Sequence, residues 1–232
     1  IRRAANFTGV GLHSGAPVRM AIRPASPNHG IWFRRTDVTD RDQMVPARFD
    51  AVTPSRLCTV VENGAGVSVS TIEHVMAALS GTGVHNALID IDGPEVPILH
   101  GSAAPFLARG LREQGEPVRC LEILETVEVR EGDAVARLEP ADRLEMAFEI
   151  DFDDEAIGRQ EKQLTLANGT FVRELCNSRT FCRLADVDAM RANGLALGGT
   201  FENAVVVEGD RILSPGGLRH ADEPVRHKML DA

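Results

Sequence analysis

The spacing of hydrophobic residues changes along the chain and predicts both strands and helices. Residues 16–37, APVRMAIRPASPNHGIWFRRTD, hold two short apolar stretches on either side of turn residues near Pro27 and Gly30, which predicts two strands of a small sheet. In VSVSTIEHVMAALSGTG the apolar residues fall at helical spacing up to Gly81 and Gly83, so one buried helix is expected there. A strand with alternating apolar positions follows in HNALIDIDGPEVPIL, and AAPFLARGLREQG predicts a second helix ending at Gly115.

The second half of the chain repeats this kind of pattern. Residues 120–152 contain three strand-like stretches with turns at EGD and PAD. Helices are predicted in GTFVRELCNSRTF, in LADVDAMRANG and in DEPVRHKMLDA, which opens with an acid and a proline, and a hairpin in NAVVVEG and RILS. Strands followed by helices, twice over, indicate an α+β fold of two similar sheet-and-helix sandwich domains, 1–118 and 119–232, and not a βαβ nucleotide-binding fold.

Composition narrows the classes of function. The 232 residues are 43% hydrophobic and 25% charged, which is typical of a packed globular protein. There are 34 acidic against 25 basic residues and no basic run, so nucleic acid is not an expected partner. The four cysteines contain no C-x-x-C pair and predict reduced thiols in a cytoplasmic protein. The sequence has no apolar run long enough for a transmembrane segment and no signal peptide at its start, and we expect a monomer.

The end of the chain carries the first candidate for chemistry. His227 and Asp231 stand four residues apart, about one helical turn, so their side chains share a face. An imidazole and a carboxylate so placed can both ligate a cation such as zinc. A solvated surface pair is the commoner meaning of this spacing.

Glu73 and His74 are the second candidate. One of them could bind a metal while the other, about 100° around the helix, reaches a water on that metal. The stretch Ser70 to Glu73 also fits the S-x-x-E capping box, and local sequence alone favours that interpretation. If the two candidates meet, His74, His227 and Asp231 supply three ligands with a fourth position for water, the arrangement of a hydrolytic zinc site. Glu73 would then accept the proton of that water, and Lys228 would be a nearby cation for an oxyanion or a plain surface lysine.

Six ordered motifs then resemble one family over nearly the whole chain. They are TGVGLHSG, STIEHVMAALSGTGVHN, PEVPILHGSAAPF, SRTF, GLALGGTFENAVVV and LRHADEPVRHKMLD, and together they are similar to the zinc-dependent UDP-3-O-acyl-N-acetylglucosamine deacetylases of lipid A biosynthesis in Gram-negative bacteria. The resemblance implies two α+β domains with the active site in the cleft between them. It also implies a fixed set of site residues.

By this resemblance, the metal ligands are His74, His227 and Asp231, and Glu73 is the general base. Thr180 and Lys228 would contact the oxyanion or the substrate. The expected substrate-binding residues, whose plainer explanation is ordinary packing, are Phe181 beside the sugar or nucleotide, Val187, Phe201 and Val206 along an apolar passage for the acyl chain, and Leu57 and Cys58 on a first-domain strand. An apolar lining is required because each CH₂ removed from water is worth about 0.8 kcal/mol.

The sequence departs from the family pattern in two places. Members are expected to continue past HKMLD with a further helix and strand carrying a second acid/base histidine, whereas this sequence ends at Ala232, so we expect the second domain to be incomplete. His100 stands where an aspartate is expected in many members.

The expected function is hydrolysis of the N-acetyl group of an acylated UDP-sugar, with Zn²⁺ or Fe²⁺ as the cofactor. This is the committed step of lipid A biosynthesis, and it releases acetate. Two alternatives remain open: a non-catalytic protein of the same fold that binds metal and a sugar nucleotide, and an amide or ester hydrolase that acts on another substrate.

Overall fold

The computed structural model describes residues 1–107 and 110–232 and has the predicted α+β composition. Its main sheet has five strands in the order β1-β2-β8-β3-β4, of which β3 and β8 run parallel and the other neighbours antiparallel. These strands are β1 (Ala5–Val10), β2 (Pro17–Pro24), β3 (Ile31–Arg35), β4 (Met44–Pro46) and β8 (Ala87–Ile91). Their alternate apolar residues, such as Ile22, Phe33 and Ile89, are buried against the first helix.

A small antiparallel sheet leads into that helix. It consists of β5 (Val52–Thr53), β6 (Val60–Glu62) and β7 (Ser68–Ser70) in sequence order. Helix α1 (Glu73–Gly81) begins three residues after β7 and buries His74, Val75, Ala78 and Leu79. Gly81 is required at its end because a Cβ there would lie 2.2 Å from the ring of Phe171.

The second half contains three further sheets and two helices. The strands are β9 (Val127–Glu131) and β10 (Ala134–Leu138), β11 (Glu145–Asp151) and β12 (Arg159–Thr165), and β13 (Phe181–Arg183), β14 (Val205–Glu208) and β15 (Arg211–Ile212). Helix α2 (Leu184–Ala192) lies beside β13 and β14, and α3 (Glu223–Asp231) packs on β11, β12 and α1. None of the described helices has the length and apolar composition of a membrane span.

The strands predicted in residues 16–37 are confirmed, whereas one helix is shorter than predicted and one strand was missed. Both strands predicted in residues 16–37 are present as β2 and β3, and they lie in one sheet with β8 between them. The helix predicted in GTFVRELCNSRTF is one π-helical turn, Phe171–Leu175, because the backbone of Thr180 extends to bond Gly101 and Val205. Strand β12, whose sequence RQEKQLT is mostly polar, was not predicted.

The helix predicted over residues 103–115 is reduced to a 3₁₀ turn, Ala104–Phe106. Part of this prediction lies outside the described residues, since residues 108 and 109 are not described. Gly110 has a positive φ of 74°, a left-handed conformation that ends a helix. Residues 111–115 are exposed and carry no helix, because they offer no apolar face for burial.

The largest apolar cluster joins residues that are distant in sequence. It contains Val75 and Leu79 of α1 together with Phe171, Met229 and Leu230. A smaller cluster, formed by Ile150, Ile157, Val205, Val207 and Val225, lies under α3. Helices α1 and α3 are therefore held in contact by shared burial, while the division into two domains at residue 118 stays a prediction.

Candidate active site

Helices α1 and α3 bring three potential metal ligands together. Nε2 of His227 lies 3.5 Å from Oδ2 of Asp231, and Nε2 of His74 lies 4.0 Å from Oδ1 of the same carboxylate. One ligand atom from each residue lies within 4.8 Å of the other two. Zinc bonds of about 2.0 Å place tetrahedral ligands about 3.3 Å apart, so these three side chains fit a metal with little movement.

The ring of His227 is oriented by a backbone carbonyl. Its Nδ1 lies 3.0 Å from the carbonyl oxygen of Ser178, which can only accept a hydrogen bond, so Nδ1 carries the proton and the lone pair of Nε2 faces Asp231. A hydrogen bond of this kind, from the ring nitrogen that does not bind metal, fixes the tautomer in metal sites. His227 is 2% exposed, and its ring packs edge-on against that of His74 with 5.1 Å between centroids.

Burial keeps both imidazoles neutral at physiological pH. It lowers the pKa of His74 to about 3, with a further contribution from His227, and it lowers the pKa of His227 to about 4. A neutral imidazole has a free lone pair, which is the form that binds a metal. Burial also raises the pKa of Asp231, which a bound cation would reverse by favouring the carboxylate.

Glu73 does not form the capping box that local sequence favoured. Ser70 lies at the end of β7, where its Oγ donates to the carbonyl of Pro94, and Ile72 is the N-cap residue. The Glu73 carboxylate instead accepts a hydrogen bond from the amide of Thr59 at 3.0 Å. Burial raises the pKa of Glu73 to about 7, although this hydrogen bond opposes the rise. A carboxylate with such a pKa is suited to accept and return a proton near neutral pH.

Phe181 and Lys228 lie beside these ligands. The Phe181 ring centroid lies 6.5 Å from that of His227, and Nζ of Lys228 lies 5.6 Å from the Phe181 centroid. The same Nζ is 3.4 Å from Oδ2 of Asp231. An ammonium group therefore stands close to the candidate ligands and over an aromatic face.

One large cavity, of about 1100 Å³, adjoins this group. Its wall includes all eight residues assigned to substrate, oxyanion or acyl contacts, which are Leu57, Cys58, Thr180, Phe181, Val187, Phe201, Val206 and Lys228. Helix α2 and residues 195–201 form much of the wall. The structure thus places the residues expected to contact the acyl chain in one space.

His100 forms one local hydrogen bond. Its Nδ1 lies 3.3 Å from Oγ of Ser102, two residues away. Burial lowers the pKa of His100, so the ring is neutral at pH 7.

Some residues around the site were not selected from the sequence. His13 lines the cavity, and both of its ring nitrogens are buried with no hydrogen-bond partner among the described residues. Arg179 and Glu223 form a buried ion pair, and Arg179 follows Ser178, whose carbonyl accepts from His227. His13 lies inside the motif TGVGLHSG, which was the available signal for it, whereas the Arg179–Glu223 pair has no sequence spacing that would predict it.

Comparison with known proteins gives a consistent result. The family model described as UDP-3-O-acyl N-acetylglycosamine deacetylase matches residues 1–232. Proteins named UDP-3-O-acyl-N-acetylglucosamine deacetylase are similar over the whole chain, with 52% identity in Phenylobacterium zucineum, 43% in Shewanella frigidimarina and 42% in Shewanella woodyi. The chain covers 80%, 78% and 78% of those relatives, respectively. These results agree with the resemblance of the six motifs.

Proposed function

Because the chain belongs to the UDP-3-O-acyl N-acetylglycosamine deacetylase family, we propose that it hydrolyses the N-acetyl amide of UDP-3-O-(hydroxyacyl)-N-acetylglucosamine. The products are acetate and the free amine, and the reaction is the committed step of lipid A biosynthesis. The observation that carries the proposal is the convergence of two histidines and a carboxylate, with Phe181 and Lys228 joining this group to a large cavity.

The metal ligands in this proposal are His74, His227 and Asp231. Two neutral imidazoles and one carboxylate form a donor set typical of catalytic zinc, so we propose Zn²⁺, with Fe²⁺ as the alternative. A divalent cation held there supplies a Lewis acid that polarises the amide carbonyl and lowers the pKa of water.

Glu73 is the proposed general base. Its pKa of about 7 means that a substantial fraction is ionised at neutral pH and can remove a proton from the attacking water. The same carboxyl group, once protonated, can return that proton to the leaving amine. The hydrogen bond from the Thr59 amide holds one carboxylate oxygen of Glu73, and the other oxygen is proposed to accept the proton of the attacking water.

Thr180 and Lys228 are proposed to stabilise the oxyanion that develops on the amide carbonyl. Both line the cavity beside the candidate ligands, and Lys228 brings a positive charge to a partly buried position. A charge already in place needs no rearrangement when the oxyanion forms.

The cavity supports the proposed substrate. Phe181 offers a flat apolar face to the sugar, while Val187, Phe201 and Val206 provide the apolar wall that a hydroxyacyl chain requires. Leu57 and Cys58 also line the cavity, from the bend between β5 and β6 and not from a strand as expected, and Cys58 is proposed to act as a small apolar residue. We further propose that the enzyme is a cytoplasmic monomer, in keeping with its four free cysteines.

Two alanine variants test the proposal. Glu73→Ala should bind one metal ion per chain and lose nearly all turnover, whereas His74→Ala should lose both metal and turnover. Metal analysis and acetate release from the acylated UDP-sugar measure the two properties. Glu62→Ala, on an exposed position of the small sheet, is the matched control and should keep both.

The outcomes also separate the alternatives. Binding of the UDP-sugar without acetate release by the wild-type chain would favour the non-catalytic protein. Release of acid only from a different amide or ester would favour a hydrolase with another substrate. Full activity in Glu73→Ala would contradict the assignment of the base.

A further inference from the structure

Glu95 is a buried carboxylate that takes no part in the reaction proposed above. It is 4% exposed and accepts four hydrogen bonds. The donors are the amides of His13 at 2.8 Å and Ser14 at 2.9 Å, the Ser14 hydroxyl at 2.6 Å and the Thr71 hydroxyl at 3.0 Å. Burial alone would raise the pKa of Glu95, but these hydrogen bonds outweigh it and hold the pKa below its ordinary value.

The backbone around Glu95 is itself fixed on two sides. The amide of Ser70 donates to the carbonyl of Pro94, and the amide of Val96 donates to the carbonyl of Ser70. On the other side the amide of Ile98 donates to the carbonyl of Val10, at the end of β1. The carboxylate is therefore anchored between the strand that precedes α1 and the strand that precedes the loop at residues 11–15.

The first element that Glu95 holds is the start of helix α1. Thr71 is 2% exposed and has a φ of 56°, a left-handed conformation that is unfavourable for a β-branched residue. Its hydroxyl donates to Oε1 of Glu95, which favours this conformation. Glu73 and His74 follow at once, so the direction of their side chains depends on the backbone at Thr71.

The second element is one wall of the cavity. The carbonyls of Leu12 and His13, which Glu95 fixes from the other side of the loop, accept hydrogen bonds from the amides of Gly198 and Leu197. Gly11 is needed beside them, because a Cβ there would lie 2.2 Å from Oε2 of Glu95. Residues 195, 196 and 199 line the cavity. By holding the loop at residues 11–15, Glu95 therefore helps to position the wall of the proposed acyl passage.

We propose that Glu95 is a positioning residue that sets both the catalytic helix start, through Thr71, and the cavity wall, through His13 and Ser14. The inference rests on the proposed function for its kinetic consequences. Its structural consequences do not depend on activity. Oε1 of Glu95 contacts both elements, through the His13 amide and the Thr71 hydroxyl, whereas Oε2 contacts only the cavity wall, through the amide and the hydroxyl of Ser14.

Two single-bond variants separate these tasks. Thr71→Val keeps the shape and the β-branch but removes the hydroxyl, so kcat should fall about tenfold while KM stays within about twofold. Ser14→Ala should leave kcat within about twofold and raise KM about three- to tenfold for long acyl chains, with a smaller rise for short ones. Thr71→Ser, which restores the hydroxyl, should recover kcat. Thr36→Val, which removes a hydroxyl that donates to Ile91 away from the site, is the matched control and should change neither constant.

Glu95→Gln should both lower kcat and raise KM. One carboxylate oxygen becomes an NH₂ group, which cannot accept the hydrogen bonds that its neighbours donate. Hydrogen–deuterium exchange on the whole chain gives a readout that is independent of turnover. Exchange should accelerate in residues 71–79 for Thr71→Val, in residues 10–16 for Ser14→Ala, and in both for Glu95→Gln. If Glu95→Gln does not fold, the two single-bond variants carry the test alone.

Two results would overturn the inference. One is exchange unchanged in both segments of the variants, whatever their activity. The other is an equal effect of Thr71→Val and Ser14→Ala on kcat and KM, which would mean that Glu95 only stabilises the fold. A wild-type chain that releases no acetate would contradict the proposed function instead, and the exchange pattern would still decide the role of Glu95.

Discussion

At the scale of single residues, the same burial produces opposite and useful effects on different groups. It makes His74 and His227 poor bases, with pKa values of about 3 and 4, and so keeps their lone pairs available. It makes Glu73 a better base, with a pKa of about 7. Each shift follows from the cost of placing a charge in a medium of low polarity. The residue types alone carry none of this information.

Lys228 gives a prediction at this scale. Lys228→Met keeps an unbranched apolar stem over Phe181 but removes the charge beside the candidate ligands. We expect kcat to fall by about 10²–10³, as for the loss of one oxyanion donor elsewhere, with metal content unchanged. Steady-state kinetics and metal analysis measure this. A variant with normal kcat would show that Lys228 is a surface lysine.

At the scale of elements, hydrogen bonds connect the start of α3 to residues 178 and 179, the segment that orients His227. Glu223 is fully buried and accepts hydrogen bonds from the amides of Arg179 and Arg219 and from the Arg179 guanidinium. Arg179 directly follows Ser178, whose carbonyl holds the His227 ring. The Arg179–Glu223 pair therefore connects the fold of the second half to the orientation of a candidate metal ligand.

Removal of Glu223 should be costly. Glu223→Ala leaves the Arg179 guanidinium buried without its partner, so we expect a loss of about 3–5 kcal/mol in the free energy of unfolding. Glu149→Ala, which breaks an exposed pair with Arg159, is the control and should cost at most about 1 kcal/mol. Urea unfolding of the two variants makes the comparison. Equal losses would contradict the anchoring role of Glu223.

Asp222, the N-cap residue of α3, predicts how stability depends on pH. Partial burial would raise its pKa, but hydrogen bonds from Arg226 and Lys162 outweigh this and lower the pKa from 3.8 to about 2. The folded state thus prefers the ionised form, and the resulting stabilisation is present above pH 4 and is lost as the pH falls toward 2. Asp222→Asn should have a lower Tm than wild type at pH 7. The two Tm values should converge between pH 4 and 2, and a constant difference would contradict this account.

At the scale of the whole molecule, the candidate metal ligands come from residues 74, 227 and 231, which only the complete fold brings together. The shared apolar cluster of α1, Phe171 and the end of α3 holds these two helices in contact. A metal bound by both helices should therefore stabilise the folded state and not the unfolded chain.

Metal binding should be visible in thermal unfolding. At a zinc concentration about 100 times the dissociation constant, the stabilisation is about 2.7 kcal/mol, which corresponds to a rise in Tm of about 5–10 °C for a chain of this size. Asp231→Asn should show little or no rise. His29→Ala, at a turn far along the chain from the ligands, should respond like wild type. A rise in Asp231→Asn equal to wild type would contradict the ligand assignment.

Much of the local structure could be predicted from the sequence. The helical spacing around Val75 predicted α1 correctly, because an apolar face of period 3.6 is typical of a helix buried on one side. The opening DEP predicted α3 correctly, because an acid and a proline are favoured in the first turn of a helix. The predicted α+β class and the family are likewise confirmed. The capping box at Ser70 was wrong because its four-residue pattern contains no information about β7, which takes Ser70 into a sheet.

The sequence by itself determined the alternation of strands and helices, the family and the identity of the candidate ligands, because these depend on spacing and on ordered motifs. The tertiary structure alone decided which groups share an environment. The hydrogen bond from Thr59 to Glu73, that between His227 and Ser178 and the four to Glu95 each connect residues that are between 14 and 82 positions apart in the sequence. Burial and hydrogen bonding are properties of neighbours in space, and no local pattern of residues records which neighbours the fold will supply.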